Sequence, residues 1–280
     1  MKFTKMHGCG NDYLYVNCFR EQVEQPQEVA RKLSERHFGA GSDGLVLICP
    51  SERADLRMIM YNADGSRGDM CGNASRCIGK YAYERGLVRS TEMTLETDSG
   101  IRSLRLQVEG GRVTCVTVDM GIPETDCARV PCLLGQGVVL EAPVRVEGRT
   151  FGVTPVNTGN PHGVIFMEES VEDFPLSHFG PLLETHPAFP RKANIEFVNV
   201  LERGKLRMRV WERGSGVTLA CGTGACAALC AGVLLGRCDR RAHVQLDGGV
   251  LEISWDEESG HVLMSGPAAF VYEGNWPLEE

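Results

Sequence analysis

The chain has 280 residues, 42 % hydrophobic and 24 % charged, with a formal net charge of −8, ordinary globular usage that excludes a disordered polymer. An acidic chain of pI near 5.5 without a Lys/Arg cluster is unsuited to holding nucleic acid by its phosphates. The opening MKFTKMHGCGND has no apolar run, and the longest apolar stretch, around Ala225 to Leu235, falls far short of the ~20 residues of a membrane span, so a soluble, cytoplasmic protein without membrane partners is expected.

Gly10-Asn11-Asp12 leads into the strand-like run Tyr-Leu-Tyr-Val. A helix is predicted over Pro26 to His37, with Val29, Leu33 and Arg36 at helical spacing and proline near its start. Gly39-Ala-Gly41-Ser-Asp-Gly44 approaches a dinucleotide-binding loop, but a strand, Leu45–Cys49, follows it rather than a helix, so that reading fails its context. The strand Leu56 to Tyr61 runs into a turn, and a helix opens at Cys71-Gly72 with Cys77, Ile78, Tyr81 and Ala82 on one stripe. A hairpin follows, Thr94–Thr97 to Ile101–Val108 across Asp-Ser-Gly. Later, Gly159-Asn160-Pro161 precedes an apolar run, and the strand Leu206 to Trp211 leads to a second helix, Gly222 to Leu235. That helix is apolar nearly all round, as a helix enclosed by sheet would be. A second hairpin, His243–Leu246 to Val250–Trp255, crosses Asp-Gly-Gly.

These elements repeat. The segment Met58 to Gly72 aligns without a gap on Met208 to Gly222, and a glycine lies fifteen residues after each cysteine, at Gly86 and Gly236, where a C′ glycine ends a helix. Asn11 precedes Cys71 by 60 residues and Asn160 precedes Cys221 by 61. The chain therefore reads as two duplicated halves, about 1–121 and 144–267. The expected fold is α+β: two pseudo-symmetric mixed domains, each a strongly curved, barrel-like sheet around a central helix. An N-terminal domain of 1–121 plus about 268–280 and a C-terminal domain of 122–267 are expected.

There are 12 cysteines. None forms a CxxC pair and no His stands at ligand spacing, so no metal site is expected. Without an export signal a disulfide framework is not expected either. Cys77, Cys226 and Cys230 read as small buried hydrophobes. Cys71 and Cys221 differ, because each stands at a helix start where unpaired N–H groups and the positive dipole end stabilise an anion. Such a terminus can lower a thiol pKa or hold a carboxylate. If the halves face one another across a cleft, two thiols flank one ligand. Inverting a carbon needs a base on one face and an acid on the other, and a thiolate and a thiol suffice.

The segments His7-Gly-Cys-Gly-Asn11-Asp, Tyr61-Asn-Ala-Asp-Gly-Ser66, Met70-Cys-Gly-Asn-Ala-Ser-Arg-Cys77, Gly159-Asn-Pro-His162, Trp211-Glu-Arg-Gly214 and Ala220-Cys-Gly-Thr-Gly-Ala225 run in order through nearly the whole chain. Together they resemble the diaminopimelate epimerase family. The resemblance implies a cofactor-independent epimerase interconverting LL- and meso-2,6-diaminopimelate, on the route to lysine and peptidoglycan. It implies Cys71 and Cys221 as paired acid and base, and Gly72, Asn73, Gly222 and Thr223 as a backbone cradle for the carboxylate at the reacting centre. Asn11, Asn62, Asn160, Asn194, Glu212 and Arg213 match substrate-binding positions. Glu212 counts also among the catalytic groups, with His162, which could tune the thiols. Gly44 belongs to the substrate positions too, although some members carry glutamine there and a side-chain contact is lost. Ala74 stands where glycine is frequent, and Tyr13 where phenylalanine is usual. Chemically the set fits: Arg213 can fork onto a distant carboxylate, and Glu212 and amide oxygens can accept from ammonium. The family also implies a homodimer; Tyr272, near the returning tail, is expected at its interface.

Two other readings stay open from the residues. One is racemisation of proline or hydroxyproline by the same thiol pair, against which Asn73 and the charged Glu212-Arg213 pair argue. The other is a redox-active dithiol protein, since two low-pKa thiols could form a disulfide.

Overall fold

The computed structural model describes residues 1–277; the last three residues of the expected N-terminal-domain tail lie outside the described residues. The fold is α+β and resolves into two compact units, one formed by 1–118 with the chain from 266 onward, the other by 119–265.

In the first unit β1 (Lys2–Gly8) and β2 (Asn11–Asn17) form an antiparallel pair, followed by α1 (Pro26–Ser34), β3 (Gly44–Cys49), β4 (Leu56–Asn62), the short β5 (Arg67–Gly68) and α2 (Gly72–Glu84). Then come β6 (Glu92–Thr97), β7 (Gly100–Glu109) and β8 (Arg112–Gly121). Strand β3 lies parallel to β2 and antiparallel to β4, and β6 lies parallel to β4. The second unit repeats this pattern. Its elements are β9 (Ala142–Val146), β10 (Arg149–Asn157), β11 (Pro161–Phe166), α3 (Leu176–Glu184), β12 (Asn194–Glu202), β13 (Lys205–Glu212) and β14 (Gly216–Val217). They continue with α4 (Gly222–Leu234), β15 (Arg241–Leu246), β16 (Gly249–Trp255) and β17 (Val262–Gly266). Here β12 is parallel to β11 and antiparallel to β13, and β15 is parallel to β13. The returning strand β18 (Ala269–Asn275) pairs with β1, as β9 pairs with β10.

Both central helices start and stop by the same local chemistry. The cysteine is the N-cap in extended conformation, with φ −139° at Cys71 and −116° at Cys221. At the other end Gly86 and Gly236 take φ +70° and +69°, which lets the N–H of the next residue reach back over the last turn: Leu87 to the Ala82 carbonyl and Arg237 to the Gly232 carbonyl, each at 2.8 Å. This is the Schellman closure that a C′ glycine permits. The predicted stripe Cys77, Ile78, Tyr81 and Ala82 is buried. In α4, Gly224 to Gly232 are buried throughout, and the helix packs against β10–β13, β15 and β16, so its sheet curves around it. A wholly buried Leu229 contributes ~1.5–3 kcal/mol relative to exposure.

Two elements depart from the sequence reading. Helix α1 ends at Ser34, three residues before the predicted His37, because Glu35 turns to extended backbone. Its carboxylate then accepts from the N–H groups of His37 and Phe38, a local bond that competes with helix continuation. Helix α3 was hidden from periodicity by Gly180 and Pro181 inside it. It is nevertheless stable because it packs on β13, where Gly180 leaves room for the Trp211 ring: a Cβ there would lie 2.5 Å from Trp211 Cγ.

Candidate active site

In the first unit the site is built at the start of α2. The first intrahelical bond is from Ser75 N–H to the Cys71 carbonyl, 2.9 Å, so the amides of Gly72 and Asn73 precede the hydrogen-bonded ladder and point out of the helix end. The Cys71 thiol donates to Asn11 Oδ1 at 3.6 Å, and Asn73 Nδ2 donates to the same oxygen at 3.2 Å. Asn11 is itself held from behind, its Nδ2 donating to Asp43 Oδ2 at 2.9 Å. Burial pushes the Asp43 carboxyl up, and the neighbouring Asp12 adds to the effect. On the far side, Arg76 Nη2 donates to Asn73 Oδ1 at 2.8 Å and Arg76 Nε to the Pro267 carbonyl at 3.2 Å. Arg76 is 0 % exposed. The amides of Asn11 and Asn73 are thus oriented by charged groups at both ends of one chain of hydrogen bonds, Asp43–Asn11–Asn73–Arg76.

The second unit builds its counterpart at the start of α4, with different chemistry. Cys221 is buried, and its Sγ accepts from the Gly224 N–H at 3.4 Å and lies 3.4 Å from Thr223 Oγ1. Burial pushes this thiol well above its usual range, and the carboxylates of Glu212 and Glu196 push the same way. Glu212 accepts hydrogen bonds from Thr218 and Cys221, while burial raises its own carboxyl. Asn160 and His162 lie on the β11 side: His162 Nε2 is 2.7 Å from Asn160 Oδ1, and Nδ1 is 2.7 Å from Glu196 Oε1. His162 faces Asn194 in the parallel register of β11 and β12. Asn194 donates to the Pro161 carbonyl at 3.3 Å and accepts from the Arg213 backbone N–H at 2.8 Å, which anchors the Glu212–Arg213 corner. The Arg213 guanidinium reaches the Arg191 carbonyl at 3.1 Å.

A family model described as diaminopimelate epimerase matches residues 3–125 and 154–271. The chain belongs to the diaminopimelate epimerase family. A diaminopimelate epimerase from Acetivibrio thermocellus is 54 % identical over 280 residues, covering 100 % of both chains. One from Desulfovibrio desulfuricans is 51 % identical over 282 residues, covering 99 % of this chain and 98 % of its own. Among solved structures, a probable proline racemase from Agrobacterium radiobacter superposes with a TM-score of 0.75 at 15 % identity, covering 99 % of this chain and 93 % of that one. A hydroxyproline epimerase from Agrobacterium vitis gives 0.73 at 18 % identity, with 98 % and 91 % covered. At such low identity these two structures show a common fold.

Of the positions suggested by resemblance to diaminopimelate epimerases, the structure joins Asn11, Cys71 and Asn73 in one network. It joins Asn160, His162, Asn194, Glu212, Arg213, Cys221 and Thr223 in the neighbourhood of the α4 start, with Gly222 as its first residue. Asn62 is not part of the first network: it donates to Ser66 Oγ at 2.9 Å and pairs in register with Gly44. At Gly44 a Cβ would lie 2.1 Å from the Tyr61 carbonyl oxygen, so a side chain here requires the β4 end to shift. Tyr272 is apart from both networks, 42 % exposed, with its hydroxyl donating to the Ala40 carbonyl at 3.0 Å. Cys77, Cys226 and Cys230 are fully buried, as structural thiols are. Sequence reading missed Asp43, Arg76, Thr218 and Glu196. For Glu196 a signal existed: it is an acid within the apolar run Asn194-Ile-Glu-Phe-Val, buried at every position, and a charge in a buried parallel strand needs a partner. Among the described residues no group of three or more His, Cys, Asp or Glu is placed to hold a metal ion, and no helix is long and apolar enough to cross a membrane.

Proposed function

We propose that this protein interconverts LL- and meso-2,6-diaminopimelate by direct proton transfer at the α-carbon, with Cys71 and Cys221 as the acid–base pair and no cofactor. The observation that carries this reading is the duplicated N-cap thiol, one at each central helix, in a chain of this family. One thiolate removes the α-proton and the other thiol returns one to the opposite face. Raised by burial and flanked by Glu212 and Glu196, Cys221 enters the cycle protonated, as the acid, and Cys71 acts first as base. In the reverse direction the roles exchange.

The α-hydrogen is a very weak acid, so the developing negative charge needs support. The amides of Gly72 and Asn73 and of Gly222 and Thr223 are suited to holding the carboxylate on the reacting carbon. Each helix terminus is worth only ~0.3–2 kcal/mol in ordinary settings, so exclusion of water must strengthen them. Cys221 and Asn73, at 4 % and 3 % exposure, already lie in dry surroundings where such dipoles act more strongly. Asn11, Asn160, Asn194, Glu212 and Arg213 supply donors and acceptors for the two ammonium groups and the distal carboxylate. Asn62 and Gly44 border the same substrate in this proposal, through the β3–β4 end they share. We also propose a cytoplasmic homodimer with Tyr272 near its interface, for which sedimentation at micromolar concentration is the measure.

The test is incubation of the purified, reduced protein with LL-diaminopimelate and no added pyridoxal phosphate. Appearance of the meso isomer, lost by at least ~100-fold in Cys71→Ala and in Cys221→Ala, supports the reading. Inert diaminopimelate alongside isomerised hydroxyproline would transfer the assignment to the sister reaction.

A further inference from the structure

Strands β2 and β3 run parallel, and Leu14 and Val16 of one and Leu45 and Leu47 of the other pack in one core with Ala30 and Leu33 of α1. The period of two along a strand puts Cys18 and Cys49 next on that face. Cys18 N–H donates to the Ile48 carbonyl at 2.9 Å, one step past the Asn17–Ile48 pairing, so the two cysteines stand in register. Both are half-buried, at the rim of this core rather than inside it. The antiparallel register of β3 and β4 sets Arg57 opposite Cys49, with Ile59 and Tyr61 following on the core side. One row therefore crosses three chain segments: Cys18, Cys49, Arg57.

The row has the parts of an oxidisable dithiol. Neighbouring strands lie ~4.8 Å apart, inside the ~4.4–6.8 Å over which a disulfide joins two Cα positions. The Cys18 thiol already donates a hydrogen bond to Cys49. That bond holds the Cys49 thiol below its usual range against the opposing effect of burial, and the Arg57 guanidinium lowers it further. The guanidinium brings a spare donor, since its Nε is buried with no hydrogen-bond partner among the described residues. Cys18 is pushed up by the same bond and by burial. A thiolate attacks an oxidant and a neighbouring thiol resolves the product. The second close pair, Cys127 and Cys132, lacks these features: both are buried, and burial pushes Cys127 up to about 12.

We propose that Cys18 and Cys49 are a site of reversible oxidation by a small hydroperoxide, closing a disulfide across the ends of β2 and β3. The Cys49 thiolate attacks one peroxide oxygen; the S–O bond forms as the O–O bond breaks, and the departing hydroxide takes a proton to become water. The Cys49 sulfur, oxidised by two electrons, is now a sulfenic acid. The Cys18 sulfur attacks it, the S–S bond forms as the S–O bond breaks, and hydroxide leaves with the Cys18 proton as a second water. The closed bond ties the ends of a segment, 18–49, that carries α1 and Asp43. Asn11 begins β2, roughly 23 Å along the strand from Cys18, so the reaction leaves the α2 start untouched and does not rest on the proposed function.

Reduced wild-type protein is exposed to excess hydrogen peroxide, quenched with N-ethylmaleimide and mapped as peptides without reductant. A peptide joining Cys18 to Cys49 is expected, reversed by dithiothreitol, with Cys127 and Cys132 left reduced. In Cys18→Ser oxidation stops at a Cys49 sulfenic acid, captured by dimedone; in Cys49→Ser, Cys18 stays a thiol. The cross-linked wild-type protein also unfolds at higher urea than the reduced protein, because the loop constrains the unfolded chain, and Cys18→Ser shows no such difference. Wild-type Cys18 and Cys49 that stay free under excess peroxide overturn the proposal, whether or not the variants fold. So does cross-linking of either one to a different cysteine. Dimedone on Cys18 in Cys49→Ser overturns the assignment of attacking and resolving thiols.

Discussion

Arg76 offers the sharpest stability test. It lies on α2 with 0 % exposure, and its guanidinium serves two named oxygen acceptors, Asn73 Oδ1 at 2.8 Å and the Pro267 carbonyl at 3.2 Å. Arg76→Met keeps most of the length and apolar stem while removing these donors. Each buried acceptor deprived of its donor costs about 1–3 kcal/mol, so the two together cost about 2–6 kcal/mol. Relief from burying a charge offsets part of this, leaving an expected loss of roughly 3 kcal/mol. That is a large share of a typical ~5–15 kcal/mol but leaves the chain folded. The consequence for the site follows the chain of bonds: without Arg76, the Asn73 amide is no longer fixed at its oxygen, and its Nδ2 bond to Asn11 Oδ1 weakens with it. Urea denaturation of wild-type and variant protein measures the first effect and turnover the second. A stability change below about 1 kcal/mol would refute the reasoning that these hydrogen bonds are a principal support of the α2 start.

Three further outcomes are expected. Because burial raises the Glu212 carboxyl, the folded state binds that proton more tightly than the unfolded chain. Its favourable contribution is complete below the ordinary glutamate pKa and disappears as pH rises through the raised value. Glu212→Gln therefore gains stability relative to wild type between pH 4 and pH 8, and urea midpoints at the two pH values that show the opposite trend contradict this. Cys49 is lowered by a hydrogen bond from Cys18, whose own thiol is raised, and both are partly exposed. Brief treatment with iodoacetamide at pH 8 should label Cys49 well ahead of Cys18 and Cys221, as peptide mapping will show. Gly180→Ala places a Cβ 2.5–2.7 Å from three Trp211 atoms; overpacking of ~1–3 kcal/mol exceeds the ~1 kcal/mol of helix propensity gained, so the melting temperature falls.

Much of the fold was legible from local signals. The Cys-Gly helix starts, the C′ glycines Gly86 and Gly236, and the hairpin glycines each act within a few residues, and the duplication presents each twice. Helix α3 was illegible because its evidence is tertiary: Gly180 and Pro181 read as breakers until Trp211, packed against Gly180, explains the glycine. At the site, Cys-Gly and Glu-Arg were visible as motifs, whereas the groups that orient them were not. Glu196 meets His162 through the parallel register of β11 and β12, across 34 positions of sequence. Arg76 meets Pro267 across 191. Pairings of that range leave only a weak trace in the chain, a charged residue where a buried stripe calls for an apolar one.

The most direct test of two-thiol chemistry is isotopic. In deuterated water, reduced wild-type protein and LL-diaminopimelate should yield meso product that carries solvent deuterium at the inverted carbon from the first turnovers, while unreacted LL substrate remains protiated. Product that keeps the substrate's own hydrogen would mean that a single group both removes and returns the proton, contradicting separate roles for Cys71 and Cys221.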